Sequence, residues 1–329
     1  MASSRRITTA VMFLGRPVFL AASALLPLAS FAVAAEPLKV VASFSILGDL
    51  VRNVGGDRVD VTTLVGPDGD AHVYEPSPAA ARDMAGADLV VVNGLGFEGW
   101  LDRLVEASGF DGAVVRASEG VEPLGIQEGE AHAHEVAADS HGHMEGQDNA
   151  DRPAIDPHAW QSIPNAEIYV KNISAALCET DPAGCDEYRT NATAYIGKLR
   201  NLDASIEAGF EAIPPERRVV ITSHDAFAYF GRAYDVTFLA PQGVSTDSEA
   251  SAADVAALIE QVRREGVSTL FVENISDPRL IGQIARETGA RLGGALYSDA
   301  LSGSDGPAAS YLSMMRHNAG LLLAAMRGS

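Results

Sequence analysis

The chain has 329 residues, a length suited to two domains or one large one. Hydrophobic residues make up 47% and charged residues 21%, enough apolar side chain for a packed core, which excludes wholesale disorder. Acids outnumber bases 44 to 24 and the formal charge is -20. That balance excludes a basic nucleic-acid-binding face, disfavours an anionic membrane surface and is compatible with a cationic ligand.

Residues 1–35 read as a targeting segment. Arg5, Arg6 and Arg16 are the charges before Glu36, an apolar run from Val18 to Val33 follows, and Ala32-Val33-Ala34 offers a small-x-small cleavage pattern. A membrane anchor is the competing reading. The run is short for one and contains Pro27, so export with removal near Ala34 or Ala35 is favoured. No cysteine lies near that point. The sequence therefore predicts a freely diffusing periplasmic protein without a lipid anchor.

Strands are then predicted at 38–42, 59–65, 89–92 and 113–115, with helices at 46–54, 78–85 and 97–107 between them. Alternating strands and helices predict an α/β fold with a parallel sheet and helices on both faces. Residues 119–152 break the pattern. They carry nine acids, one base (Arg152), no aromatics, and four of the eight histidines: His132, His134, His141 and His143. This composition predicts a solvated, disordered acidic loop, with His-x-His pairs suited to weak auxiliary metal capture. An inert polar spacer is the alternative.

Two helical stretches follow, at 164–177 and 186–213. The second places Tyr188, Ala192, Tyr195, Leu199, Leu202 and Ile206 three or four residues apart. That stripe fits an ordinary core helix or a long helix joining two lobes. Cys178 and Cys185 flank the turn Asp181-Pro182 and Gly184. In an exported chain they predict a structural disulfide rather than a metal site or redox pair, since no His is adjacent. The strand–helix pattern then resumes, with strands at 219–222, 236–239, 269–272 and from 291, and helices near 225–233, 252–265, 278–287 and 308–326.

Outside the acidic loop, His72, His158 and His224 lie where a strand or helix has just ended or is about to begin, and Asp299 follows the last strand in the same way. In open α/β sheets ligands bind at the carboxyl edge of the strands. Three imidazoles and a carboxylate form a closed four-coordinate set suited to zinc. Taken singly, each His also reads as a core or capping residue. No H-E-x-x-H, C-x-x-C or zinc-finger spacing is present.

Several ordered segments resemble one family. They are Gly66-Pro67-Asp68-Gly69-Asp70-Ala71-His72-Val73-Tyr74-Glu75-Pro76-Ser77-Pro78, Asp156-Pro157-His158-Ala159-Trp160 and Ser223-His224-Asp225-Ala226-Phe227-Ala228-Tyr229-Phe230. Pro241-Gln242-Gly243-Val244-Ser245-Thr246, Glu273-Asn274 and Tyr297-Ser298-Asp299-Ala300-Leu301 join them. The chain from about Leu38 onward is similar to the zinc and manganese solute-binding proteins of ABC importers, cluster A-I. The resemblance implies two α/β lobes joined by one long, rigid helix, with metal in the cleft between them. It places the N-terminal lobe at 36–180 with its acidic loop at 119–157, the linking helix at 181–214 and the C-terminal lobe at 215–329.

The family's ligand positions fall on His72, His158, His224 and Asp299. Manganese-type members tend to carry Glu where this chain has His224, and an acidic, His-rich insert tends to mark zinc receptors; both imply Zn2+ as the transported ligand. The implied partners of this monomer are an inner-membrane ABC permease and a periplasmic zinc metallochaperone. A stiff linking helix implies metal release by local movement of ligand loops rather than wide closure. A manganese or iron receptor, a zinc hydrolase and a passive metal buffer remain as alternatives; Glu75 and Glu273 are the candidate bases for the hydrolase.

Overall fold

The computed structural model describes residues 36–126 and 154–328, together with residues 1–2, 7–10 and 12. Most of the expected signal peptide lies outside the described residues, as do His132, His134, His141 and His143 of the acidic loop.

The first lobe begins with β1 (Leu38–Phe44), α1 (Ser45–Gly55), β2 (Val59–Val65) and α2 (Pro78–Ala85). It continues through β3 (Leu89–Val92), α3 (Leu101–Ser108) and β4 (Ala113–Arg116). The four strands form a parallel sheet in the order β2-β1-β3-β4. Every residue of β3 is buried, the mark of a strand covered on both faces. Ile46, Leu47, Leu50, Val51 and Val54 recur at helical spacing and bury one face of α1. Gly56 then ends the helix at a φ of 58°, a backbone that costs glycine little.

Two pieces join the lobes. A short antiparallel pair, β5 (Leu124–Gly125) with β6 (Ile155–Asp156), brackets the acidic loop. α4 (Ile163–Thr180) then turns into α5 (Cys185–Glu211), which is 27 residues long. At 1.5 Å per residue α5 spans about 40 Å. Its predicted stripe is buried, extended by Phe210. α5 packs on α1 and α4 and also on α6 and α9. Its Tyr195 reaches Asp49 of α1, and its Asp203 accepts the hydroxyl of Tyr234 at 2.7 Å. A helix shared between two sheets is the arrangement expected of a lobe-joining element.

The second lobe runs β7 (Val219–Ile221), α6 (Ala228–Tyr234), β8 (Thr237–Leu239), α7 (Ala252–Glu265), β9 (Thr269–Glu273), α8 (Arg279–Thr288), β10 (Arg291–Leu296) and α9 (Tyr311–Gly328). Its sheet is parallel in the order β10-β9-β7-β8. The α/β fold of two parallel-sheet lobes expected from the sequence is therefore present. The Cys178–Cys185 disulfide is formed at the corner between α4 and α5.

Two predicted helices start later than their apolar pattern. Residues 97–100 form a turn before α3, because Gly94, Leu95 and Gly96 all take positive φ and swing Phe97 and Trp100 into the core. Residues 225–227 are likewise outside α6, in the turn that carries the backbone away from His224.

Candidate metal centre

Each of four side chains sits in a loop at the carboxyl end of a strand, where backbone N–H and C=O groups leave the ladder and need other partners. His72 lies in the loop after β2. Its N–H donates to Asp70 Oδ1 at 2.9 Å, and the neighbouring Ala71 carbonyl accepts the Trp100 indole N–H at 2.8 Å. His158 follows β6 by two residues. Its N–H donates to Asp156 Oδ1 at 2.9 Å, and its Nδ1 lies 2.7 Å from the same oxygen. Asn93, at the end of β3, donates to the Pro157 carbonyl at 2.9 Å and is itself held by the Tyr169 hydroxyl.

His224 follows β7, and Asp299 follows β10. The Ser223 and His224 N–H groups donate to Glu273 Oε1 at 2.7 and 2.9 Å, while Glu273 Oε2 lies 2.5 Å from His224 Nδ1. The carbonyl of Ser298, one residue before Asp299, accepts from the Trp160 indole at 2.9 Å and the Gln161 amide at 2.6 Å. Trp160 and Gln161 lie just past His158, so the segment that carries one lobe's His also fixes the other lobe's Asp.

Among the described residues, His72, His158, His224 and Asp299 are the group whose donor atoms lie close enough to share an ion, all within 4.8 Å of one another. His72 Nε2 is 3.2 Å from His158 Nε2 and 3.3 Å from Asp299 Oδ2. Asp299 is 3.5 Å from His158 Nε2 through Oδ1 and 3.2 Å from His224 Nε2 through Oδ2. His158, His224 and Asp299 are fully buried; His72 keeps a sliver of exposure. His224 Nε2 and both Asp299 oxygens have no hydrogen-bond partner, a costly state for buried polar atoms that a cation would relieve.

Electrostatics agree. Burial alone would lower the His224 pKa, but the Glu273 and Asp299 carboxylates outweigh it and raise it well above the usual imidazole range. Burial alone would raise Asp299, but the imidazoles of His224 and His158 hold it well below the usual carboxylate range. His224 and Asp299 thus stabilise each other's ionised forms. Divalent metal with Asp299, Asp156 and Glu273 and three neutral imidazoles leaves little net charge to bury. Glu75 plays no part in this balance; it is exposed and lines a groove between α2 and α3.

The four predicted residues converge. The clamps behind them are what the sequence reading missed. Asp156 and Glu273 each press a carboxylate on the far nitrogen of a His, which fixes the tautomer and ring direction. One signal for this was present: Asp70 and Asp156 each stand two residues before a His. No spacing rule links Glu273 to His224, or Trp160 to Ser298.

Comparison with known proteins places this chain in a group. The family model described as ZnuA, zinc-uptake complex component A periplasmic, matches residues 40–325. The manganese-binding lipoprotein MntA of Halalkalibacterium halodurans is 32% identical over 283 residues, covering 86% of each chain. The iron-binding protein YfeA of Yersinia pestis is 33% identical over 282 residues, 85% of this chain and 84% of that one. The structure of the periplasmic zinc-binding protein TroA from Treponema pallidum superposes with a TM-score of 0.75 at 28% identity, covering 88% of this chain and 99% of that one.

These names overturn the expectation of a freely diffusing protein with no lipid anchor. MntA and several other relatives are lipoproteins by name. The expectation rested on the short apolar run, the cleavage pattern at Ala32-Val33-Ala34 and the lack of a cysteine nearby, and it is withdrawn. The described relatives bring no metallochaperone with them, so that partner is not carried further. With residues 40–325 matched, the chain belongs to the zinc-uptake component A family, the metal-binding receptors of ABC importers, which are solute-binding proteins and not enzymes.

Proposed function

We propose that the chain captures Zn2+ at His72, His158, His224 and Asp299 and delivers it to an ABC permease. The observation that carries this reading is the donor spacing. Donors about 2.0–2.1 Å from a tetrahedral zinc stand about 3.3–3.4 Å apart. Of the six pairs among the four side chains, His72–His158 and the three His–Asp299 pairs, taken to the nearer carboxylate oxygen, are 3.2, 3.3, 3.5 and 3.2 Å apart, and the donor atoms all lie within 4.8 Å of one another. Three nitrogens with one oxygen suit zinc, whereas manganese favours oxygen-rich sets. TroA, named for zinc, supports the same choice.

A second reading is a manganese or iron receptor, which the names of MntA and YfeA favour. Competition titration separates the two. Zinc should displace bound manganese at equimolar metal and resist displacement by a large manganese excess; the reverse order would sink the zinc assignment. A passive buffer fits less well, since membership in a family of importer receptors supports delivery.

His132, His134, His141 and His143 are proposed to raise the rate of loading without forming part of the tight site. Deleting residues 128–148 should leave one zinc per chain and slow loading at scarce zinc. Loss of tight binding in that deletion would put one of these histidines in the primary site.

A further inference from the structure

His72 differs from the other three donors. It is the one with residual exposure, and its loop between β2 and α2 is held by both lobes, through Trp100 on its own side and through Leu301, Asn274 and Thr246 on the other. Asp68 donates its N–H to the Leu301 carbonyl at 2.9 Å, and Asn274 donates to Asp68 Oδ1 at 3.0 Å. Closer to the His, Asp70 divides its two oxygens between the lobes. Oδ1 accepts the His72 N–H at 2.9 Å, and Oδ2 accepts the Thr246 hydroxyl at 2.6 Å.

Thr246 lies in the irregular segment between β8 and α7. That segment is anchored beside another donor: His224 bridges to Gln242, and Asp225 donates its N–H to the Gly243 carbonyl at 3.2 Å. One stretch of chain therefore runs from the backbone at His224 to the carboxylate that fixes the backbone at His72. The bond at its far end is short and charge-assisted, between partly buried groups.

We infer that Thr246 is a positioning residue for His72: through Asp70 its hydroxyl keeps the mouth donor on the metal and sets how long the metal stays. Without the hydroxyl, Asp70 loses its hold on the opposite lobe. His72 then swings out more often, and a donor set of three buried groups releases its ion faster. Ala71 remains tied to Trp100, and Asp68 to Leu301, so the loop keeps its fold and arrival of metal is little affected. A partner that pulled on the segment carrying Thr246 would open the site from outside without touching a donor. This rests on His72 being a ligand.

The test is stopped-flow release of zinc from the loaded full-length chain into excess chelator. Thr246→Val, with Thr246→Ala as a second variant, should release zinc roughly tenfold faster than wild type, the effect of losing one charge-assisted bond. Both should still bind one zinc at saturation, and Thr246→Ser should stay within about twofold of wild type. In a His72→Ala background, Thr246→Val should add no further acceleration, because the bond acts only through His72. Unchanged release in Thr246→Val and Thr246→Ala overturns the inference. So does equal acceleration with and without His72, which marks a general loosening. A His72→Ala chain that binds zinc as tightly as wild type would instead overturn the ligand assignment itself.

Discussion

Glu273 holds His224 at two places, the backbone N–H and the far ring nitrogen. Its conservative replacement separates orientation from charge. Glu273→Gln should weaken zinc binding by roughly 10- to 100-fold, the usual effect of removing the carboxylate behind a ligating imidazole. Chelator competition on folded variant measures it, and wild-type affinity would exclude the role. The same carboxylate governs pH dependence. It helps raise the His224 pKa well above the usual range, so it favours the protonated imidazole in the metal-free chain. Zinc must displace that proton, so apparent affinity rises with pH and falls as the medium is acidified. Binding should release a proton from His224. Calorimetry in two buffers of different ionisation enthalpy reads this directly. Identical heats would show that His224 is already neutral.

At the scale of elements, the corner between α4 and α5 concentrates several restraints. Cys178 is bonded to Cys185, and Asp181 between them takes Arg58 at 2.6 Å and the Tyr188 hydroxyl at 2.7 Å. The closed loop is short, so replacing both cysteines by serine should cost about 2 kcal/mol of stability. The corner adjoins no donor residue, so zinc stoichiometry should not change. A urea transition at the wild-type midpoint, or lost zinc, would contradict this. The long elements were legible in the sequence because burial imposes a period: six of the seven residues in the buried stripe of α5, all but Phe210, and the all-apolar β3 read directly. β5 and β6 were not, since strands of two residues have no period to detect. His72, His158, His224 and Asp299 were legible as residues at strand ends. Their clamps were not, because Trp160 and Ser298 meet only after the chain has folded across 138 positions.

For the whole molecule, the decisive feature is that each lobe supplies half of one buried site, while a single helix packs along both. His72 and His158 come from the first lobe or its edge, and His224 and Asp299 from the second. Bending the lobes apart would strip α5 of its contacts with α1 and α4 or with α6 and α9. Loading should therefore leave the radius of gyration nearly unchanged, with local movement around residues 66–77 and 241–251. Small-angle scattering of the metal-free and loaded chain tests this, and a clear contraction on loading would point to hinge closure instead. The central claim is that these four side chains form one zinc site. X-ray absorption at the zinc edge of the chain loaded with one equivalent tests it most directly. The account predicts four nitrogen and oxygen neighbours at about 2.0–2.1 Å, with multiple-scattering features of three imidazoles that fall to two in His72→Ala. A six-coordinate oxygen-rich shell, or an unchanged imidazole count in His72→Ala, would contradict it.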